Sequence, residues 1–122
     1  SYRKAIEINP DLAETHYNLG NILKALGKSH EAAISYRKAI EINPNFAYAH
    51  LNLGNILHTL GETDEAILNY EKSLIIKPTM PEALVGLGKS LLIKGQYIKA
   101  LNLLKEGEGT ISFDLENGVS VY

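Results

Sequence analysis

The sequence predicts an all-α solenoid of stacked helix pairs with a short β-hairpin-like tail, and three observations carry that prediction. The stretch YRKAIEINP runs from Tyr2 to Pro10 and again from Tyr36 to Pro44, an offset of 36 − 2 = 34 residues. A diverged copy, YEKSLIIKP, spans Tyr70 to Pro78, and 70 − 36 is again 34. Within a period, apolar residues recur at helical spacing in two separate runs: Leu19, Ile22, Leu23 and Leu26, then Ala32, Ala33, Tyr36, Ala39 and Ile40. Self-similarity at a fixed period of this size marks a supersecondary unit that buries its apolar face only against copies of itself.

With Ala13 and Ala47 taken as position 1, Pro44 and Pro78 both fall at position 32, and Pro10 closes an earlier, truncated unit. Two amphipathic helices per unit follow. Their expected spans are about 13–26, 30–42, 47–60, 64–76, 81–94 and 98–106, preceded by a lone helix at the N-terminus up to about Ile8. Gly27, Gly61 and Gly95 stand where the first helix of each pair needs a left-handed residue to end. Ser29 and Thr63, or the adjacent His30 and Asp64, are the candidate N-caps of the second helices, Asp64 being the stronger of the second pair. Each second helix must stop before Pro44 or Pro78, because proline lacks a backbone donor and disfavours helical geometry in the residue before it. Gly20, Gly54 and Gly88 on the first helices, with Ala32, Ala66 and Ala100 on the second, mark where paired helices cross. Glycine inside a helix costs roughly 1 kcal/mol relative to alanine, so three at one register point to a packing demand.

Beyond Gly107 the helical period gives way to alternation of Ile111, Phe113, Leu115, Val119 and Val121, a strand period. A three-residue loop over Glu116, Asn117 and Gly118 would set Leu115 opposite Val119 and Phe113 opposite Val121, with all five apolar residues on one side. An isolated hairpin is only marginally stable, so the tail is expected to cap the last helices or to begin a further domain.

Composition narrows function. The 122 residues are 45% hydrophobic and 21% charged, which is ordinary for a globular domain. A net charge of −2 and a pI near 6.1 provide no field to attract phosphate backbones or anionic lipid, so neither nucleic acid nor membrane is an expected partner. No apolar run reaches the roughly 18 to 20 residues that cross a bilayer. The absence of cysteine excludes disulfides and thiolate metal sites and is compatible with a cytoplasmic location.

The 34-residue period, Leu19-Gly20, Leu53-Gly54 and Leu87-Gly88, Ala32, Ala66 and Ala100, the aromatics Tyr2, Tyr36 and Tyr70, and Pro10, Pro44 and Pro78 together resemble the tetratricopeptide repeat (TPR) pattern. The resemblance covers Ser1 to about Glu106. It implies a right-handed superhelix divided into a second helix and turn at 1–12, full repeats at 13–46 and 47–80, a degenerate or partial repeat at 81–106, and the tail at 107–122. Departures exist: the family's Trp position holds His16, His50 and Leu84, its first-helix Tyr position holds Leu23, Leu57 and Leu91, and Leu104 and Gly107 stand where an aromatic and a small residue belong.

The resemblance further implies a concave groove lined by positions 2, 5, 6, 9, 12 and 13 of each unit, where TPR proteins hold extended peptides or partner helices. Those positions include Tyr17, Asn18, Asn21 and Lys24, then Tyr48, Leu51, Asn52, Asn55 and His58, and Lys89 in the last unit. Asparagine is a mediocre helix former, but its amide offers donors and an acceptor, which suits gripping a peptide backbone regardless of side chain. Asn18 and Asn52 resemble the asparagine ladder of O-linked N-acetylglucosamine transferase superhelices, although Gly86 and Lys89 interrupt it here. The competing expectation is that these asparagines face solvent or bond to the neighbouring repeat. Chaperone-binding members clamp a terminal carboxylate with cations, and the corresponding places hold Tyr17, Asn21, Asn52, Glu82 and Gly86, so that specificity is not expected.

Histidines at equivalent positions of adjacent repeats, His16 and His50, would lie about 8 to 10 Å apart, too far for one zinc ion with bonds near 2 Å. His58 lies two turns beyond His50 with no acidic or cysteine ligand at matching spacing. There is no phosphate-binding glycine loop and no nucleophile with consistent His and Asp partners, so neither cofactor nor active site is expected. Arg37, Lys38, Glu41, Glu71 and Lys72 are the solvated outer face. The expected function is a non-enzymatic module that binds a protein or peptide, with Asn18, Asn21, Asn52 and Asn55 on its backbone and Tyr17, Tyr48 and Leu51 in apolar contact. The alternative is the substrate-recruiting arm of a larger enzyme, such as a glycosyltransferase. Incompletely covered terminal helices also allow end-to-end self-association.

Overall fold

The computed structural model describes residues 11–108, 111–114 and 118–121. Six helices lie among them: α1 (Asp11–Ala25), α2 (Ser29–Ile42), α3 (Ala47–Thr59), α4 (Thr63–Ile76), α5 (Pro81–Ile93) and α6 (Tyr97–Glu108). They match the sequence-predicted spans to within about two residues at each end. The expected N-terminal helix, with Tyr2 and Pro10, lies outside the described residues.

The turns inside the pairs follow from backbone chemistry. Gly27, Gly61 and Gly95 have φ of 78°, 81° and 81°, the left-handed region that favours glycine. In the first turn the Lys28 amide donates to the Leu23 carbonyl and the Gly27 amide to the Lys24 carbonyl, and the same pair of bonds recurs around Gly61 and Gly95. This Schellman closure satisfies carbonyls at the end of each first helix. It also corrects the capping expectation. Lys28 and Glu62 are the N-cap residues, without side-chain capping bonds, and Ser29 and Thr63 are already helical. The compact closure leaves one residue between glycine and helix, so the N-cap falls one position earlier than the hydroxyl residues.

Asn43 and Lys77 end α2 and α4 in extended geometry, φ −131° and −130°, as a following proline requires. Pro81 opens α5, where its missing amide costs nothing.

Each helix packs mainly on the other member of its pair, α2 and α4 pack next on the first helix of the following pair, and α3 also meets α5. One continuous core results, running through Ala32, Tyr36, Leu53, Leu57, Ala66, Tyr70, Leu87, Leu91 and Ala100. A Cβ on Gly20 would sit 2.6 Å from the Tyr36 ring, and one on Gly54 would sit 2.9 Å from the Tyr70 ring. The glycines thus admit an aromatic ring where two helices cross. In the third pair Leu104 replaces the ring, and a Cβ on Gly88 would come within 2.7 Å of it. The degenerate unit therefore keeps the crossing with a smaller plug, and α6 runs two residues beyond the expected end.

Strands β1 (Ile111–Asp114) and β2 (Gly118–Val121) pair antiparallel. Their register corrects the expected one: Ile111 faces Val121, Phe113 faces Val119 and Asp114 faces Gly118. Gly118 is a ladder residue and not the last loop residue, which shifts every pairing by two residues from the register predicted with a loop over Glu116, Asn117 and Gly118. Leu115, Glu116 and Asn117 lie outside the described residues.

Candidate functional site

The face made by α1, α3 and α5 carries the residues expected to bind. Asn21 Oδ1 accepts a hydrogen bond from the Tyr36 hydroxyl at 2.6 Å and another from Asn52 Nδ2 at 2.9 Å. Asn52 Nδ2 spends its second hydrogen on the Tyr17 hydroxyl oxygen at 3.1 Å. One turn along, Asn55 Oδ1 accepts from the Tyr70 hydroxyl at 2.6 Å. Three of the four expected asparagines thus bond to neighbouring side chains, while Asn18 is exposed.

These bonds fix which way each amide points. Both lone pairs of Asn21 Oδ1 are taken, so its Nδ2 hydrogens are what remains for an outside partner. Both hydrogens of Asn52 are taken, which leaves its Oδ1 as an acceptor. Asn55, oriented through its oxygen, likewise presents Nδ2. The half-buried row therefore reads donor, acceptor, donor.

The tyrosines that set this order are core residues. Tyr36 is fully buried and Tyr70 is 2% exposed. Burial raises both phenols from 10 to about 12, helped for Tyr36 by the neighbouring Tyr17 and opposed by the nearby Asn52 amide. Both hydroxyls therefore stay protonated donors through neutral pH.

The apolar contacts fall out differently from expectation. Leu51 is 4% exposed and packs within the core cluster instead of facing the groove. Tyr17 is half-buried, its ring centroid 4.7 Å from Phe46 and 5.9 Å from Tyr36, so it braces the first joint. Tyr48 remains exposed, with Lys77 Nζ 4.9 Å from its ring centroid. Lys24 and Lys89 are exposed on the same face.

At the second joint, Gly86 occupies the place that Asn52 holds at the first. A Cβ there would meet the Tyr70 ring at 2.6 Å. An open cavity of about 570 Å³ lies beside it, lined by Asn55, His58, Thr59, Tyr70, Val85, Gly86 and Lys89 among others. His58 Nδ1 is buried there without a hydrogen-bond partner.

His50 is structural, with Nε2 2.9 Å from the Pro44 carbonyl and Nδ1 3.4 Å from Asn69 Oδ1. Among the described residues no group of His, Asp and Glu could hold a metal ion, and no helix is long and apolar enough to cross a membrane. Sequence reasoning missed the tyrosine hydroxyls as organisers of the row. The signal was present, since Tyr36 and Tyr70 each lie 15 residues beyond an asparagine.

The TPR repeat profile matches residues 1–27 and 20–61, and the tetratricopeptide repeat profile matches 47–80. Two crystal structures of MamA are similar, each at 29% identity over 88% of this chain, with TM-scores of 0.77 and 0.75. The chain spans 63% and 58% of those two structures. The second TPR of Spaghetti (RPAP3), solved with the HSP90 peptide SRMEEVD, has a TM-score of 0.81 at 17% identity, covering 84% of this chain and 94% of that one. No curated protein matches.

Proposed function

This chain belongs to the tetratricopeptide repeat family, and from that premise we propose that it is a protein-interaction module holding an extended peptide segment along the face of α1, α3 and α5. The observation that carries the reading is the ordered row of Asn21 Nδ2, Asn52 Oδ1 and Asn55 Nδ2, whose polarity matches the carbonyl, amide and carbonyl groups of an extended backbone. Amides already held in place lose less freedom on binding, which favours affinity. Lys24, exposed Asn18 and Tyr48 flank the row and supply side-chain contacts. A peptide on the RPAP3 repeat supports a peptide partner as the class. The identity of the segment differs from a chaperone tail, because Tyr17, Glu82 and Gly86 stand where clamping cations would be needed.

An array of immobilised unstructured dodecapeptides tests the reading. Wild type is expected to bind a subset, and Asn21→Ala with Asn52→Ala is expected to lose it while circular dichroism shows helix content unchanged. Equal capture by both proteins would move the interaction off this face.

A second reading, self-association, is favoured by the exposure of Leu19, Ile22 and Leu26 at 44%, 57% and 65%, where the equivalent Leu53 and Ile56 are 3% and 2% exposed beneath the core. Light scattering over a concentration series checks it, and a constant monomer mass would end it.

A further inference from the structure

The two joints of the recognition face differ in one residue, and that difference points to a chemical preference in the bound chain. At the first joint, position 6 is Asn52, whose amide fills the space between Asn21 and Tyr17. At the second, position 6 is Gly86, whose bare Cα lies against the Tyr70 ring and which brings no amide to the joint. The partners that such a side chain would meet are still present. Asn55 keeps both Nδ2 hydrogens, since its oxygen alone is engaged by Tyr70. His58 also lines the cavity. Lys89 lines the same cavity.

Repeat equivalence places these groups opposite one another. Asn21 meets Asn52 across the first joint, so position 9 of one unit faces position 6 of the next. By the same register Asn55 faces Gly86, and His58, one turn on, faces Lys89. Glu82 also lines the cavity, but it lies seven residues before Lys89 on α5, roughly 10 Å away along the axis, and does not neutralise it. The wall behind is apolar, formed by Tyr70, Pro81 and Val85. The inner end of the cavity is thus rich in donors.

We infer that the cavity beside Gly86 between α3 and α5 receives an acidic side chain of the bound segment, its carboxylate accepting hydrogen bonds from Asn55 and Lys89. Charge complementarity selects this guest. An apolar guest would leave the Asn55 amide hydrogens without a partner, and a cationic one would sit against Lys89. A carboxylate at this depth gains charge-assisted bonds, the stronger kind of hydrogen bond. This assignment rests on the peptide-binding reading above and adds a side-chain requirement at one position.

A dodecapeptide array with one position at a time fixed as Glu, Gln, Leu or Lys, and the others randomised, tests it. Wild type should favour Glu over Gln by roughly fivefold at a single position, the scale of a partly exposed charged contact. Lys89→Gln, an exposed change that leaves the core intact, should reduce that preference to within about twofold, read as the ratio of Glu to Gln capture by the same protein. Capture with no acidic preference, or a preference that Lys89→Gln leaves unchanged, overturns the assignment and leaves the backbone reading standing. Capture that survives Asn21→Ala with Asn52→Ala, or no capture at all, overturns both.

Discussion

Replacing Tyr70 by phenylalanine isolates the hydroxyl that orients Asn55, and its effect should reverse with pH. The ring is kept, so its packing between Gly54 and Gly86 is undisturbed. What disappears is the 2.6 Å bond to Asn55 Oδ1. Near pH 7 that loss should cost about 1 kcal/mol, the usual net worth of one intramolecular hydrogen bond. Wild type has a liability that the variant lacks. Burial raises the phenol from 10 to about 12, so the folded state favours the neutral form. The associated stability is whole below pH 10, where the unfolded chain is also protonated, and drains away as pH rises from 10 toward 12. At pH 11 the drain amounts to about 1.4 kcal/mol. Tyr70→Phe should therefore be less stable than wild type by about 1 kcal/mol at pH 7 and equal or slightly superior at pH 11. Urea unfolding followed by circular dichroism at both pH values measures the two differences. A deficit of the same size at pH 7 and pH 11 would refute the reasoning, because it would mean that Tyr70 ionises alike in folded and unfolded chains.

Three stability predictions use the same assay at neutral pH. Gly54→Ala forces a Cβ to 2.9 Å from the Tyr70 ring, and overpacking of about 1–3 kcal/mol should outweigh the roughly 1 kcal/mol gain in helix propensity. Gly61→Ala meets no neighbour within 4 Å yet should still destabilise by about 1 kcal/mol, because φ is 81° there. Glu65→Gln removes an ion pair with Arg37 whose partners are about half exposed, at 50% and 48%, and should change stability by less than about 1 kcal/mol, with the small effect shrinking in 1 M salt.

Legibility in the sequence followed the kind of interaction involved. Helix spans were readable because proline and glycine act locally: Pro44 and Pro78 set the residue before them, and Gly27, Gly61 and Gly95 adopt a conformation that other residues avoid. The crossing glycines were readable because the cost of Gly20, Gly54 and Gly88 needs a repeated cause. Capping was misplaced by one or two residues, since Ser29, Thr63 and Asp64 look like caps locally while the Schellman turn uses Lys28 and Glu62. Hairpin register was also missed, because grouping apolar residues does not by itself determine where a loop begins. In the candidate site, the positions of Asn21, Asn52 and Asn55 were legible from the period, but their polarity was not. It depends on hydroxyls from another helix, and such bonds leave no periodic trace. Leu51 was expected to contact a ligand and is core instead, since burial at a helix interface depends on which neighbours close over it.

The most direct test of the central claim is a double-mutant cycle between Asn52 and the backbone of a peptide selected on the array. Titration calorimetry would compare wild type and Asn52→Ala, each with the peptide and with a set of analogues N-methylated at one residue at a time. If Asn52 Oδ1 accepts a backbone amide hydrogen, one analogue should weaken wild-type binding about fivefold, and the same methyl group should cost the Asn52→Ala variant almost nothing. Methylation that weakens both proteins equally at every position would contradict the account, because the amide of Asn52 would then hold no part of the bound chain's backbone.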